Sequence, residues 1–284
     1  MADDLVAGSD HTKGGRRRVI DHEEISEPRQ IRFLGTPLVV TTYADWIAYL
    51  QTCVRKSAVL SVDFSNTQIV TMRRGEPWFR EQTSRVDYFV PDGMPLIWCL
   101  NWKGAGLRDR VYGPTFMRHC VINSPAPFTH YFLGASEDCL TKLQSVFLNA
   151  QPNLRIVGSH NGYFSPDQDA AIINEINRLA PDFIWVGLGT PKQQAWIHLH
   201  RAKFHRGVIL AVGQAFDVNA GTKKDAPLWV QRLGLTWLHR MAVEPRRLIK
   251  RYVRYNSLFL FYLLWDGLRG RAFGSPEPGK NSHP

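Results

Sequence analysis

The sequence predicts an α/β fold: a Rossmann-like, mostly parallel sheet with helices on both faces, followed by a basic amphipathic C-terminal helical appendage. Three observations predict it. Short apolar runs alternate with helix-length segments through the middle of the chain, the pattern of strand–helix units in a sheet covered on both sides. Two of the helical segments open on a hydroxyl residue followed by Pro (Ser165-Pro166 and Thr190-Pro191). Pro presets the first helical φ and has no N–H to leave unpaired. The basic residues gather near the C-terminus. Residues 236–271 carry eight basic and two acidic groups, whereas residues 1–30 carry five and seven.

Composition sets the bounds. The chain has 284 residues, 44% hydrophobic and 21% charged, enough for a sizeable core. This excludes a wholly disordered, collagen-like or disulfide-scaffold protein. The four cysteines contain no C-x-x-C pair and read as reduced core residues, which suits the cytosol. No apolar run follows Arg16-Arg17-Arg18 as a targeting signal would require. The longest apolar run, 258–265, is far short of the ~20 residues that span a bilayer. The net charge of +10 calls for an anionic partner: a phosphate, a membrane surface or a nucleic acid.

Taken in order, residues 1–28 are polar and aperiodic and read as a disordered leader. The main α/β domain is expected over 29–234, the helical appendage over 235–271 and a disordered tail over 272–284. Thr42, with Asp45 three residues on, caps a helix to about Arg55. Ala58–Phe64 and Val86–Val90 read as strands, the second stopped by Pro91-Asp92-Gly93; Met94–Trp102 reads as a buried helix. His130–Leu133, Leu154–Val157, Asp182–Val186 and Val208–Val212 are strands. Helices follow the first three, from Ser136, Ser165-Pro166 and Thr190-Pro191. Leu235–Met241 is helical, and Pro245 opens a further helix.

Ligands of such sheets sit beyond the carboxyl ends of the strands, and three segments fall there. Asp92 follows an apolar strand, where a carboxylate can act as a general base; Pro-Asp-Gly is equally an ordinary turn. Gly187-Leu188-Gly189 precedes a helix, so its backbone can approach a phosphate. It is neither G-x-G-x-x-G nor a P-loop, and a plain strand-to-helix turn explains it too. Ala215–Gly221, with Asp217, is either a site loop or a turn. In the appendage, Arg247, Arg251 and Arg254 share one helical face, and arginines on one face bind a diphosphate bidentately. Leu248, Tyr252, Tyr255, Phe259 and Tyr262 share another face, suited either to a membrane interface or to docking on the core.

Other motifs fail. Asp167-Gln168-Asp169 has a D-x-D form but lies in a first helical turn, where acids suit the dipole. His198, His200 and His205 lack ligand spacing, and no cluster suggests a metal or a cofactor.

Taken together, seven segments resemble the WecG/TagA/CpsF family, glycosyltransferase family 26, over residues 31–255. They are VDYFVPDGMPL, RVYGP, HYFLGAS, IVGSHNGYF, DFIWVGLGTPKQQAWI, AVGQAFDVNAG and GLTWLHRMAVEPRRLIKRY. The resemblance implies an inverting, metal-independent transferase. It would move a hexose or N-acetylhexosamine from a UDP-sugar donor to a polyprenyl-diphosphate-linked glycan acceptor. By the same resemblance Asp92 is the general base, and Asn66, Arg110 and Gln193 line the substrate site. Arg240, Arg247 and Arg251 clamp the UDP diphosphate. Gly187, Gly189 and Asp217 complete the substrate-binding set. The enzyme would lie in the cytoplasm, attached peripherally to the inner face of the plasma membrane through its appendage. It would self-associate, bind no nucleic acid and need no cofactor. A chain ended at Leu233 is expected to stay folded but inactive. Four positions depart from the family pattern: Gln194 stands for Glu, Thr115 for Asp, Asp225 for Arg and Phe64 for Thr. They leave the donor sugar open.

Two other classes are weighed. A nucleotide-cofactor oxidoreductase is disfavoured by the missing G-x-G-x-x-G. A non-catalytic membrane- or RNA-binding module would carry its basic and aromatic residues on an exposed surface.

Overall fold

A computed structural model describes residues 26–123 and 128–269. Most of the expected leader and all of the expected tail lie outside the described residues. The elements, in order, are β1 (Gln30–Phe33), β2 (Thr36–Val39), α1 (Tyr43–Arg55), β3 (Val59–Ser65), α2 (Thr67–Gly75), α3 (Pro77–Gln82), β4 (Tyr88–Pro91) and α4 (Met94–Trp102). Next come α5 (Gly113–Ile122), β5 (Thr129–Gly134), α6 (Glu137–Ala150), β6 (Arg155–His160), α7 (Asp169–Leu179), β7 (Phe183–Gly187) and α8 (Lys192–His200). Last are β8 (Gly207–Ala211), α9 (Ala215–Asn219), α10 (Leu228–Arg232), α11 (Thr236–Val243) and α12 (Pro245–Leu268).

The eight strands form one sheet in the order β1-β2-β4-β3-β8-β7-β5-β6. Every pairing is parallel except the β1–β2 hairpin at one edge. The strands expected from the sequence all form. The hairpin is an addition, turned by Leu34 and Gly35, both with positive φ. Helices α2, α3, α5, α9 and α10 are also additions.

Local chemistry explains the boundaries. Thr42 caps α1 as expected, its Oγ1 accepting from the Asp45 N–H at 3.3 Å. Ser136 caps α6 by accepting from the Cys139 N–H at 3.2 Å. Ser165-Pro166 opens a single 3₁₀ turn, Pro166–Gln168, before α7 begins. Pro191 is itself the cap of α8 rather than its first residue, and the Thr190–Pro191 bond is cis.

Helices cover both faces. On one, Trp46 and Leu50 of α1, Phe116 of α5 and Phe147 of α6 pack on Phe132, Trp185 and Leu210. On the other, Ile172 and Ile176 of α7 and Ile197 of α8 pack on Tyr131, Ile184 and Ile209. Val70 of α2 and Leu96 of α4 cover Leu38 and Phe89. Burying such side chains contributes ~1.5–3 kcal/mol each.

Helix α12 takes the docked one of the two readings open to its apolar face. Its face of Leu248, Tyr252, Tyr255 and Phe259 is buried, with Tyr255 against Ile69, Met72 and Phe79 and Phe259 against the α4 core. That face is therefore not free to meet a membrane. Arg74 pairs bidentately with Asp266, one contact at 2.7 Å, and Glu76 accepts from the Tyr255 hydroxyl at 2.8 Å. A chain ended at Leu233 would leave the outer face of α2 uncovered. The opposite face of α12 presents Ile249, Val253, Leu260, Phe261, Leu264, Trp265 and Leu268 as exposed side chains. Among the described residues no helix is long and apolar enough to cross a membrane.

Candidate active site

The carboxyl edge of the sheet opens into a cavity of about 490 Å³. Its floor is made by chain crossing from β3, β4, β7 and β8 into the segments that follow. Its outer wall is α11 and the first turns of α12. All ten residues singled out from the sequence line it: Asn66, Asp92, Arg110, Gly187, Gly189, Gln193, Asp217, Arg240, Arg247 and Arg251.

Asp92 sits one residue past β4. Its N–H donates to the Ser65 carbonyl at 2.8 Å, which continues the β3–β4 ladder. Its Oδ1 accepts from the Gly113 N–H at 3.1 Å. Burial pushes its pKa up from 3.8 to about 7, and Asp63 adds to the rise. Arg110, the Gly113 N–H and Arg240 pull the other way and are outweighed. A carboxyl tuned near neutrality is suited to exchanging a proton with a substrate hydroxyl.

Arg110 is buried beside this group. It donates to Gln231 Oε1 at 3.0 Å and lies over the Tyr112 ring at 4.2 Å. Tyr112 donates from its hydroxyl to Asp225 Oδ1 at 2.7 Å, and Gln231 Nε2 donates to Asp225 Oδ2 at 3.2 Å. Asp225 therefore closes a chain of contacts around Arg110. Phe64 lines the floor and packs on Phe116 at 5.0 Å between ring centroids.

The glycine loop is folded by a side chain. Gln193 Oε1 accepts from the Gly189 N–H at 3.1 Å, and the Gln193 N–H donates to the Gly189 carbonyl at 2.9 Å. Gly189 has φ +77°, a left-handed conformation that disfavours other residues. A Cβ on Gly134 would stand 2.5 Å from the Gly187 backbone, so β5 and β7 can converge under the cavity only without one. Asn66 caps α2: its Oδ1 accepts from the Gln68 and Ile69 N–H groups at 3.0 and 3.3 Å.

The outer wall is cationic. Arg240, Arg247 and Arg251 converge on the cavity. The Arg251 Nε is buried with no hydrogen-bond partner among the described residues. Burial, then the like charges of Arg240 and Arg247, lower the Arg251 pKa. Arg247 is held by Glu244, with its Nε 2.5 Å from Oε2. The other Glu244 oxygen lies 3.3 Å from Lys223 Nζ, which in turn is 3.2 Å from Asp217 Oδ2. Arg254 does not join its expected companions. It pairs with Glu76 at 3.1 Å, away from the cavity. Asp169, of the D-x-D segment, instead accepts from Trp196 Nε1 at 2.8 Å and contacts His200 Nε2 at 2.9 Å.

Several lining residues carried no assignment from sequence: Lys192, Lys223, Tyr112 and Trp237; Tyr252, expected on the apolar face of the last helix, lines the cavity too. Lys223 follows Asp217 by six positions, and its charge was the available signal. The others are aromatic or basic residues inside the seven segments and bear no signal of their own.

A parallel sheet whose carboxyl edge gathers a carboxyl with a raised pKa and three arginines around one cavity has the architecture of an enzyme. The chain belongs to the glycosyl transferase WecG/TagA/CpsF family, whose model matches residues 31–273, and is a glycosyltransferase. Similar curated proteins include the N-acetylglucosaminyldiphosphoundecaprenol N-acetyl-beta-D-mannosaminyltransferases of Staphylococcus aureus strains NCTC 8325 / PS 47 and COL. Each is 27% identical over 229 residues, covering 80% of this chain and 89% of the relative.

Proposed function

We propose that this chain is an inverting glycosyltransferase that moves a hexose or N-acetylhexosamine from a UDP-sugar to a polyprenyl-diphosphate-linked saccharide in cell-surface glycan synthesis. The observation that carries it is that one cavity is lined by both the Asp92 carboxyl and the Arg240, Arg247 and Arg251 cluster. A transfer of this kind needs one group to take a proton and another to receive a departing diphosphate. The relatives' names, which include a diphosphoundecaprenol acceptor, support the lipid-linked class.

In the proposed step an acceptor hydroxyl oxygen attacks the anomeric carbon as its proton passes to Asp92. The new carbon–oxygen bond forms as the bond to the diphosphate breaks, and UDP leaves with the electron pair. The anomeric centre inverts, giving a β-linkage from an α-linked donor. Asp92 Oδ1 is held by the Gly113 N–H, which leaves Oδ2 for the proton. The arginines and the N–H groups of the Gly187–Gly189 loop stabilise charge on the diphosphate, so turnover is expected to persist in EDTA. Asn66, Arg110, Gln193 and Asp217 line the same cavity and are assigned to holding the donor. The exposed apolar stripe of α12, beginning beside the arginines, is assigned to the membrane surface that carries the acceptor.

The test is UDP release from a panel of UDP-sugars with a polyprenyl-diphosphate-sugar acceptor in detergent and EDTA. Acceptor-dependent release from one donor supports the proposal and identifies the sugar. Absence of both release and UDP binding overturns it.

A further inference from the structure

Strand β3 has both faces covered, yet its sequence places Ser61, Asp63 and Ser65 on one of them, and all three are buried. The central member is a carboxyl 1% exposed, behind the cavity rather than in it. Asp63 Oδ1 accepts from the Ser65 hydroxyl at 2.6 Å. Its Oδ2 accepts from Gln194 Nε2 at 2.7 Å. The same Nε2 lies 3.3 Å from the Thr190 hydroxyl oxygen. Arg73, fixed by Thr36 at 3.1 Å and stacked 4.1 Å over Phe89, supplies a compensating charge. A carboxyl so deeply buried costs stability unless its partners are well placed. Ordinary packing would be better served by an apolar residue.

Two site segments meet at this carboxyl. Through Ser65 the strand leads to Asn66, and the Ser65 carbonyl accepts from the Asp92 N–H at 2.8 Å. Through Gln194 it reaches the first turn of α8, where Gln193 folds the Gly189 loop. We propose that Asp63 is a positioning residue: by gripping Gln194 it sets the glycine loop and Gln193 against the strand ends that carry Asn66 and Asp92. It touches no substrate and acts through α8. The nucleotide part of this inference rests on the proposed function; the positioning part does not.

The test is amide hydrogen exchange over residues 188–195, with UDP binding in parallel, in wild type, Asp63→Leu and Asp63→Asn. Asparagine preserves both contacts, since its Oδ1 accepts from Gln194 and its Nδ2 donates to Ser65. In Asp63→Leu the loop amides are expected to exchange about tenfold faster and UDP to bind about tenfold more weakly, the size of one buried hydrogen bond. The β5–β6 amides should be unchanged. Asp63→Asn should restore both quantities to within about threefold of wild type. A folded Asp63→Leu with wild-type exchange at these amides overturns the inference. If that variant does not fold, Gln194→Met, which removes only the gripped amide, is read by the same two criteria. If wild type binds no UDP, the proposed function falls and the exchange result alone decides.

Discussion

The Gly113 N–H donates to Asp92 Oδ1 at 3.1 Å, so one oxygen of the carboxyl is tied to the start of α5. The bond joins two segments that are 21 residues apart in sequence. It orients the carboxyl without supplying enough charge to offset its burial, which is why the group stays near neutrality.

A pH dependence follows from that balance. The rate should rise with pH as Asp92 ionises, with an acidic limb centred near its raised pKa of about 7. Stability should run the opposite way. In the unfolded chain the carboxyl ionises near 3.8, whereas in the fold it keeps its proton to about 7. The folded form therefore holds more protons between these values, and this group's contribution to stability falls as pH rises through the window. Asp92→Asn should melt above wild type at pH 8 and level with it below pH 3.8. Thermal melts at the two pH values check it.

The Arg251 Nε is buried without a hydrogen-bond partner among the described residues and shares the wall with Arg240 and Arg247. Its charge costs folding energy that a bound diphosphate would offset. Arg251→Met is expected to melt higher than wild type without ligand. It should bind UDP at least about tenfold more weakly, since a charge-assisted contact contributes ~1.5–3 kcal/mol. UDP titrations by calorimetry and melts with and without UDP check both halves.

Glu244 pairs with both Arg247 and Lys223, so under the proposed function it would compete with the diphosphate for them. Glu244→Gln is expected to bind UDP about threefold more tightly at low salt, with the difference shrinking as salt rises. Binding measured across an ionic-strength series checks it.

Leu264 and Leu268 are 70% and 86% exposed on α12, opposite the face that holds the helix to α2. Changing both to Ser should leave the melting temperature unaltered and reduce binding to anionic liposomes. Truncation after Leu233 is a different experiment. It uncovers Ile69, Met72 and Phe79 and is expected to lower stability as well as activity. Vesicle sedimentation and melts separate the two.

Much of the fold was legible because periodicity and caps are local. Met94–Trp102 forms the helix its apolar run predicts, and Thr42 and Ser136 cap where their positions indicate. The β1–β2 hairpin carries no clear sequence signal because its turn is Leu34-Gly35, with a positive-φ Leu where Asn or Asp is usual. Helix α5 begins at Gly113-Pro114 with no hydroxyl cap. α9 and α10 are five residues each, too short to carry a period. The candidate site was legible only as separate segments spread from Asn66 to Arg251; the sheet brings them to one cavity. Asp63 lay hidden in a run that reads as a buried strand, and its role depends on Gln194, 131 residues away.

The most direct test compares wild type with Asp92→Asn in acceptor-dependent UDP release from the productive donor, with UDP affinity measured in the same preparations. Loss of turnover by at least about a hundredfold, with UDP affinity within about threefold of wild type, is the predicted result for a general base. Turnover near wild type in Asp92→Asn would contradict the account.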